Sequence, residues 1–142
     1  MIWTIENLSE LDNVAQELVK LFDHNNLFLL YGPMGAGKTT LSAAILKATG
    51  SKDTASSPTY SIVNEYHLPN NKKLYHFDLY RLEDPSELED IGFYEYLDSG
   101  NICLIEWPER AEHILLGEKH IKISIALQEG KRIITFEENS YI

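Results

Sequence analysis

The chain has 142 residues, 44% of them hydrophobic and 24% charged, which suits one folded domain with a buried core and excludes a disordered chain. Twelve Lys and Arg against 22 Asp and Glu give a net charge of −10. Such a surface repels bare phosphate backbones, so direct nucleic-acid binding is set aside and any RNA would be met through a partner protein.

In chain order, Ile2 to Ile5 is a candidate strand. Ser9 stands where an N-cap would, and Leu11, Val14, Ala15, Leu18, Val19 and Phe22 recur at helical spacing, predicting an amphipathic helix over residues 9–23. LFLLY (27–31) has the unbroken apolar character of a buried parallel strand. A glycine loop follows, then a helix from Lys38 to Ala48 ended by Gly50. TYSIVNEYHL and KLYHFDLY read as two strands joined at Asn70 and Asn71, a hairpin. Asp84 and Pro85 open a helix reaching Ile91. NICLIEW is a further buried strand, Pro108 starts a short helix to Leu115, and HIKISIAL and RIITFEE flank Gly130 as a C-terminal β-hairpin. The fold class is α/β: a P-loop NTPase-like mixed sheet flanked by helices. With no repeat or linker, residues 1–142 are read as a single domain. Cys103 lies inside an apolar run and reads as a buried thiol, with no second cysteine to pair. No apolar run approaches the ~18 residues of a membrane span, and the opening MIWTIENLSELD lacks a signal pattern, so a cytoplasmic protein is expected.

Gly32-Pro33-Met34-Gly35-Ala36-Gly37-Lys38-Thr39 matches G-x-x-x-x-G-K-[ST] without a gap. The glycines let several N–H groups turn toward one phosphate, and the N-terminus of the following helix adds partial positive charge. Lys38 is placed to reach the β- and γ-phosphates, Thr39 to ligate Mg²⁺, and Thr40 to bond the α-phosphate. A glycine turn with a surface lysine is the bland alternative. A chance match has a probability on the order of 1% at average composition, and the flanking strand and helix lower it further. GTPases carry N-K-x-D, whereas Asn71-Lys72-Lys73-Leu74 lacks the aspartate, so ATP is favoured.

A phosphate-loop enzyme needs an acid at the end of a neighbouring buried strand to hold Mg²⁺, and Glu106 ends the run Ile102 to Ile105. In YHFDLYR, Asp78 can orient an attacking water or stand behind the metal. His76 and Arg81 can equally be structural; His76 shares a strand face with Asp78, but the pattern is too poor in ligands for zinc. SSPTY occupies the place of switch loops that sense the γ-phosphate, and is otherwise a proline turn into a strand.

GPMGAGKTT, SSPTYSIVNEY, YHFDLYRLEDPSELEDIGF and ICLIEWPER, in this order and at these separations, closely resemble the TsaE family of small bacterial ATPases, from about residue 27 to 110. The resemblance implies a role in making threonylcarbamoyladenosine beside the tRNA anticodon, with ATP and Mg²⁺ as cofactors. It also implies docking on a TsaB–TsaD pair, so that tRNA is met only through the complex. Carried over by position, Gly35 to Thr40 would hold phosphates, and Thr39 and Glu106 would ligate Mg²⁺. Asp78 would serve hydrolysis and Ser57, Pro58 and Thr59 would form the switch-like loop. Trp107 would pack or touch the partners, and Leu8 with Lys131 or Arg132 would lie near adenine. Two rivals stay open. One is a small-molecule kinase, although Arg81, Arg110 and Arg132 are too dispersed for an arginine-rich lid. The other is a non-catalytic, ATP-dependent docking module.

Overall fold

The computed structural model describes residues 1–54 and 62–142. The two unbroken apolar runs become the middle of the sheet. LFLLY forms β2 (Leu27–Tyr31) and ICLIE forms β5 (Ile102–Glu106), with every residue but Tyr31 buried. They pair in parallel, Leu27 to Leu30 opposite Cys103 to Glu106. On its other side β2 pairs in parallel with β6 (His120–Gln128), and β5 pairs in parallel with β4 (Lys72–Asp78). Both expected hairpins form. β3 (Val63–Leu68) runs antiparallel to β4 at one edge, and β7 (Lys131–Ser140) antiparallel to β6 toward the other. β1 (Ile2–Ile5) closes that second edge on β7, giving one seven-stranded mixed sheet, β1-β7-β6-β2-β5-β4-β3.

Alternation along the central strands divides the core in two. Phe28, Leu30 and Leu104 face α1 (Leu11–Val19) and α2 (Lys38–Ala48). Leu29, Phe77 and Ile105 face α3 (Ser86–Asp90), α4 (Phe93–Leu97) and α5 (Glu112–Leu115). Phe77 makes edge-on contacts with Phe93 at 5.0 Å and Tyr96 at 5.3 Å, which fix α4 against β4.

The expected helix over 9–23 is α-helical only from 11 to 19, with 3-10 turns at Leu8–Glu10 and Lys20–Asp23. Ser9 is not its N-cap: it lies inside the first 3-10 turn and its hydroxyl bonds the Asn7 side chain. Glu10 instead reaches back to accept the Glu6 N–H at 3.0 Å, so an acid of the turn does the closing. Asp84 accepts the Ser86 N–H at 3.0 Å and starts α3 near its expected place. α4 has no counterpart in the sequence reading; it begins after Gly92, whose φ of 75° only glycine adopts without strain. The segment from Pro108 is a 3-10 turn to Ala111 and then α5. Among the described residues no helix is long and apolar enough to cross a membrane.

Candidate phosphate-binding site

The glycine loop joins β2 to α2 at the carboxyl end of a strand flanked by both β5 and β6, where the crevice of a parallel sheet opens. Gly32 is needed for closeness: a Cβ there would sit 2.9 Å from the Ile125 carbonyl oxygen of β6. Gly37 is needed for conformation, with φ at 107°. It caps α2 with no side-chain hydrogen bond, which leaves the first N–H groups of that helix available to an anion. The buried Ala36 donates its N–H to the Pro33 carbonyl at 3.2 Å, tightening the loop. Arg132 crosses from the C-terminal hairpin and donates its Nε to the Ala36 carbonyl at 2.9 Å. The structure thus brings Arg132 onto the phosphate loop itself. Leu8 is 48% exposed in the 3-10 turn before α1, an apolar side chain outside this hydrogen-bonded network.

Lys38 is buried at the start of α2. Its Nζ donates to the Gly32 carbonyl and to the Pro33 carbonyl (3.1 Å), and lies 3.9 Å from the centre of the Trp107 ring. Burial lowers its pKa, opposed by the charges of Glu106, Glu109 and Asp78. Trp107 holds this position through a left-handed backbone (φ 57°, ψ 50°), a conformation costing a non-glycine residue about 1 kcal/mol or more. It also packs on Tyr80, with ring centres 5.1 Å apart.

Glu106 ends β5 almost fully buried. Its Oε1 accepts the Thr39 hydroxyl at 3.1 Å, while its Oε2 accepts the Ser42 hydroxyl at 3.3 Å and bonds Nε2 of the buried His76. Asp78 is the register partner of Glu106 on β4, so the two carboxylates end adjacent parallel strands on one face. Its Oδ1 accepts the Tyr80 N–H at 3.1 Å, which orients it. Thr40 is exposed on the first turn of α2. Ser57 and Thr59, with Pro58 between them, lie outside the described residues.

The converging oxygens of Thr39 and Glu106 suit a hard cation such as Mg²⁺, which characteristically takes one or two protein ligands and completes its shell from water and phosphate. Among the described residues no group of three or more His, Cys, Asp and Glu is arranged for an all-protein metal site. The loop, the uncapped helix start, the two oxygens and a second carboxylate alongside can together hold a nucleotide's phosphates and a water.

Sequence spacing does not reach Ser42, and it names His76 without its partner. Ser42 has no motif to mark it, although it stands one helical turn beyond Lys38 and bonds that residue's carbonyl at 3.0 Å. His76 was placed beside Asp78, and the acid it meets is Glu106 on the next strand, a pairing decided by strand order.

A family model described as threonylcarbamoyl adenosine biosynthesis protein TsaE matches residues 5–134. A tRNA threonylcarbamoyladenosine biosynthesis protein TsaE from Haemophilus influenzae is 43% identical over 121 residues, covering 84% of this chain and 75% of that protein. One of the same name from Rickettsia typhi is 35% identical over 98% of this chain and 96% of its own length. Another, from Bacillus subtilis, is 34% identical over 94% and 83%. The crystal structure of YdiB from Bacillus subtilis superposes with a TM-score of 0.74 and 26% identity, covering 99% of this chain and 86% of that one. With the fold, the site and these likenesses in agreement, the chain belongs to the TsaE family, whose proteins function in tRNA threonylcarbamoyladenosine biosynthesis.

Proposed function

We propose that this protein is the ATP-binding and ATP-hydrolysing component of the cytoplasmic machinery that makes N6-threonylcarbamoyladenosine next to the tRNA anticodon. It docks on a TsaB–TsaD pair and supports repeated turnover there, meeting tRNA only through that complex. One observation carries the ATPase reading: Thr39 Oγ1 lies 3.1 Å from Glu106 Oε1, beside the start of α2. Family membership supports the pathway.

In this reading the N–H groups of Gly35 to Thr40 cradle the phosphates. Lys38 leaves the Gly32 and Pro33 carbonyls to reach the β- and γ-phosphates. Thr39 and Glu106 would hold Mg²⁺, which when bound neutralises charge on the β- and γ-phosphate oxygens. Asp78, oriented by the Tyr80 N–H, accepts a hydrogen bond from the attacking water and directs it at the γ-phosphorus. Arg132, the arginine that reaches the loop, has its Nε committed to the Ala36 carbonyl. Slow hydrolysis by the isolated protein is expected in this reading, with a rise when a partner supplies further charge stabilisation.

The test is phosphate release from Mg-ATP by the purified protein, alone and with a TsaB–TsaD pair from the same organism. A slow basal rate that rises on adding the pair is expected. ATP binding with no hydrolysis in either condition would replace this reading with a docking module, and a phosphorylated small metabolite as product would replace it with a kinase.

A further inference from the structure

The Glu106 carboxylate is held asymmetrically. It is 2% exposed, and a carboxylate so buried is costly unless its lone pairs are satisfied. Two donors converge on a single oxygen: Nε2 of His76, itself 4% exposed, and the Ser42 hydroxyl at 3.3 Å both bond Oε2. Nε2 is assigned as the donor in this contact, the role that suits a carboxylate acceptor. Among the described residues, the other oxygen, Oε1, meets only the Thr39 hydroxyl at 3.1 Å, on the side of the phosphate loop. His76 lies level with Leu104 in the register, two residues before Glu106 on the neighbouring strand, so its ring approaches the carboxylate from within the sheet. Ser42 approaches from α2, its one hydroxyl proton shared between the Lys38 carbonyl at 3.0 Å and Oε2 at 3.3 Å, so it is the weaker of the two donors to Oε2.

We propose that His76 and Ser42 are positioning residues that occupy Oε2 of Glu106 and thereby turn Oε1 toward Thr39 as the single carboxylate oxygen presented to a divalent cation. The inference rests on the metal-site reading above and adds residues that act through Glu106 without touching nucleotide. It separates metal affinity from nucleotide affinity. Loss of the His76 donor frees the carboxylate to rotate, whereas the loop N–H groups that grip the phosphates stay in place.

The experiment titrates Mn²⁺ into the protein with ADP, following free Mn²⁺ by electron paramagnetic resonance, and measures ADP binding separately in EDTA. His76→Phe is expected to weaken Mn²⁺ binding by roughly 10- to 100-fold, the usual effect of removing a residue that orients a metal ligand, with ADP affinity in EDTA unchanged. His76→Gln keeps an N–H donor and should recover part of the loss; Ser42→Ala should weaken Mn²⁺ binding several-fold. If both His76→Phe and Ser42→Ala bind Mn²⁺ as the wild type does, while Glu106→Ala loses it, the inference fails and the metal site stands. If Glu106→Ala also binds Mn²⁺ normally, the metal-site reading fails first. A parallel fall in EDTA-measured ADP affinity and in melting temperature overturns the inference by assigning His76 to the core alone. Should His76→Phe not fold, Ser42→Ala decides, unchanged Mn²⁺ affinity counting against the proposal.

Discussion

Gly32→Ala is the substitution whose effect can be worked most directly from the structure. A Cβ at this position would lie 2.9 Å from the Ile125 carbonyl oxygen and 3.4 Å from the Ile125 Cβ. The nearer obstacle is backbone, so no side-chain rotation relieves it. Ile125 is also register-paired with Ile134 of β7, so any retreat of β6 disturbs that ladder. Overpacking of this kind costs about 1–3 kcal/mol. At about 3 °C per kcal/mol for a chain of this length, the melting temperature should fall by roughly 3–10 °C. The loop is displaced at the same point, so ADP affinity should fall as well. Gly100→Ala is the comparison: with φ at 80° and nothing within 4 Å of its Cβ, it loses about 1–2 kcal/mol to backbone strain and nothing at the loop. Thermal melts with and without ADP, together with a binding titration, measure both consequences. A Gly32→Ala protein that melts within about 1 °C of wild type and binds ADP equally well would refute the close-approach argument.

Lys38→Ala should abolish nucleotide binding, and Glu106→Ala should slow phosphate release by roughly a hundredfold or more; both should abolish tRNA modification in a reconstituted assay, and normal modification with either contradicts the proposed roles. Burial pushes the Cys103 thiol up to about 12, so only about one molecule in ten thousand carries the thiolate at pH 8. Alkylation of the native protein should therefore be very slow and become rapid on unfolding; fast labelling of the folded protein would contradict its placement. Asp53 accepts the His67 N–H at 2.6 Å, and this bond holds its carboxyl below the ordinary value of 3.8. A depressed carboxyl stabilises the fold above the unfolded value, and that contribution is lost as pH falls through the folded one. Below pH 3.8 wild type should lose stability more steeply than Asp53→Asn in acid unfolding curves, and superimposable curves would show that the contact contributes nothing.

The phosphate loop was legible because its chemistry is local. Turning several N–H groups onto one phosphate demands glycines at fixed spacing, and Gly32 to Thr39 carries them within one short segment. The central strands were legible because strands buried on both faces cannot alternate, which LFLLY and ICLIE do not. The two hairpins followed from turn residues: Asn70 and Asn71 in one and Gly130 in the other, all with positive φ. Helix ends were harder. Ser9 has the composition of a cap, yet Glu10 closes the turn, because both can supply an acceptor and backbone geometry chooses between them. α4 escaped because five residues are too few to show a period, and it is held by Phe77 from another element.

Sequence by itself singled out candidates for the chemistry: Lys38, Thr39, Asp78 and Glu106 stand out through their neighbours in the chain. Tertiary structure decided what each of them meets. Strand order set β4 beside β5, giving Glu106 the imidazole of His76; the packing of α2 on that face gave it Ser42 and Thr39. The C-terminal hairpin brought Arg132 back across the molecule to the Ala36 carbonyl. These partners are separated by 30 to 96 residues along the chain, and contacts at such distances are set by how strands order and helices pack, on which local spacing carries no information.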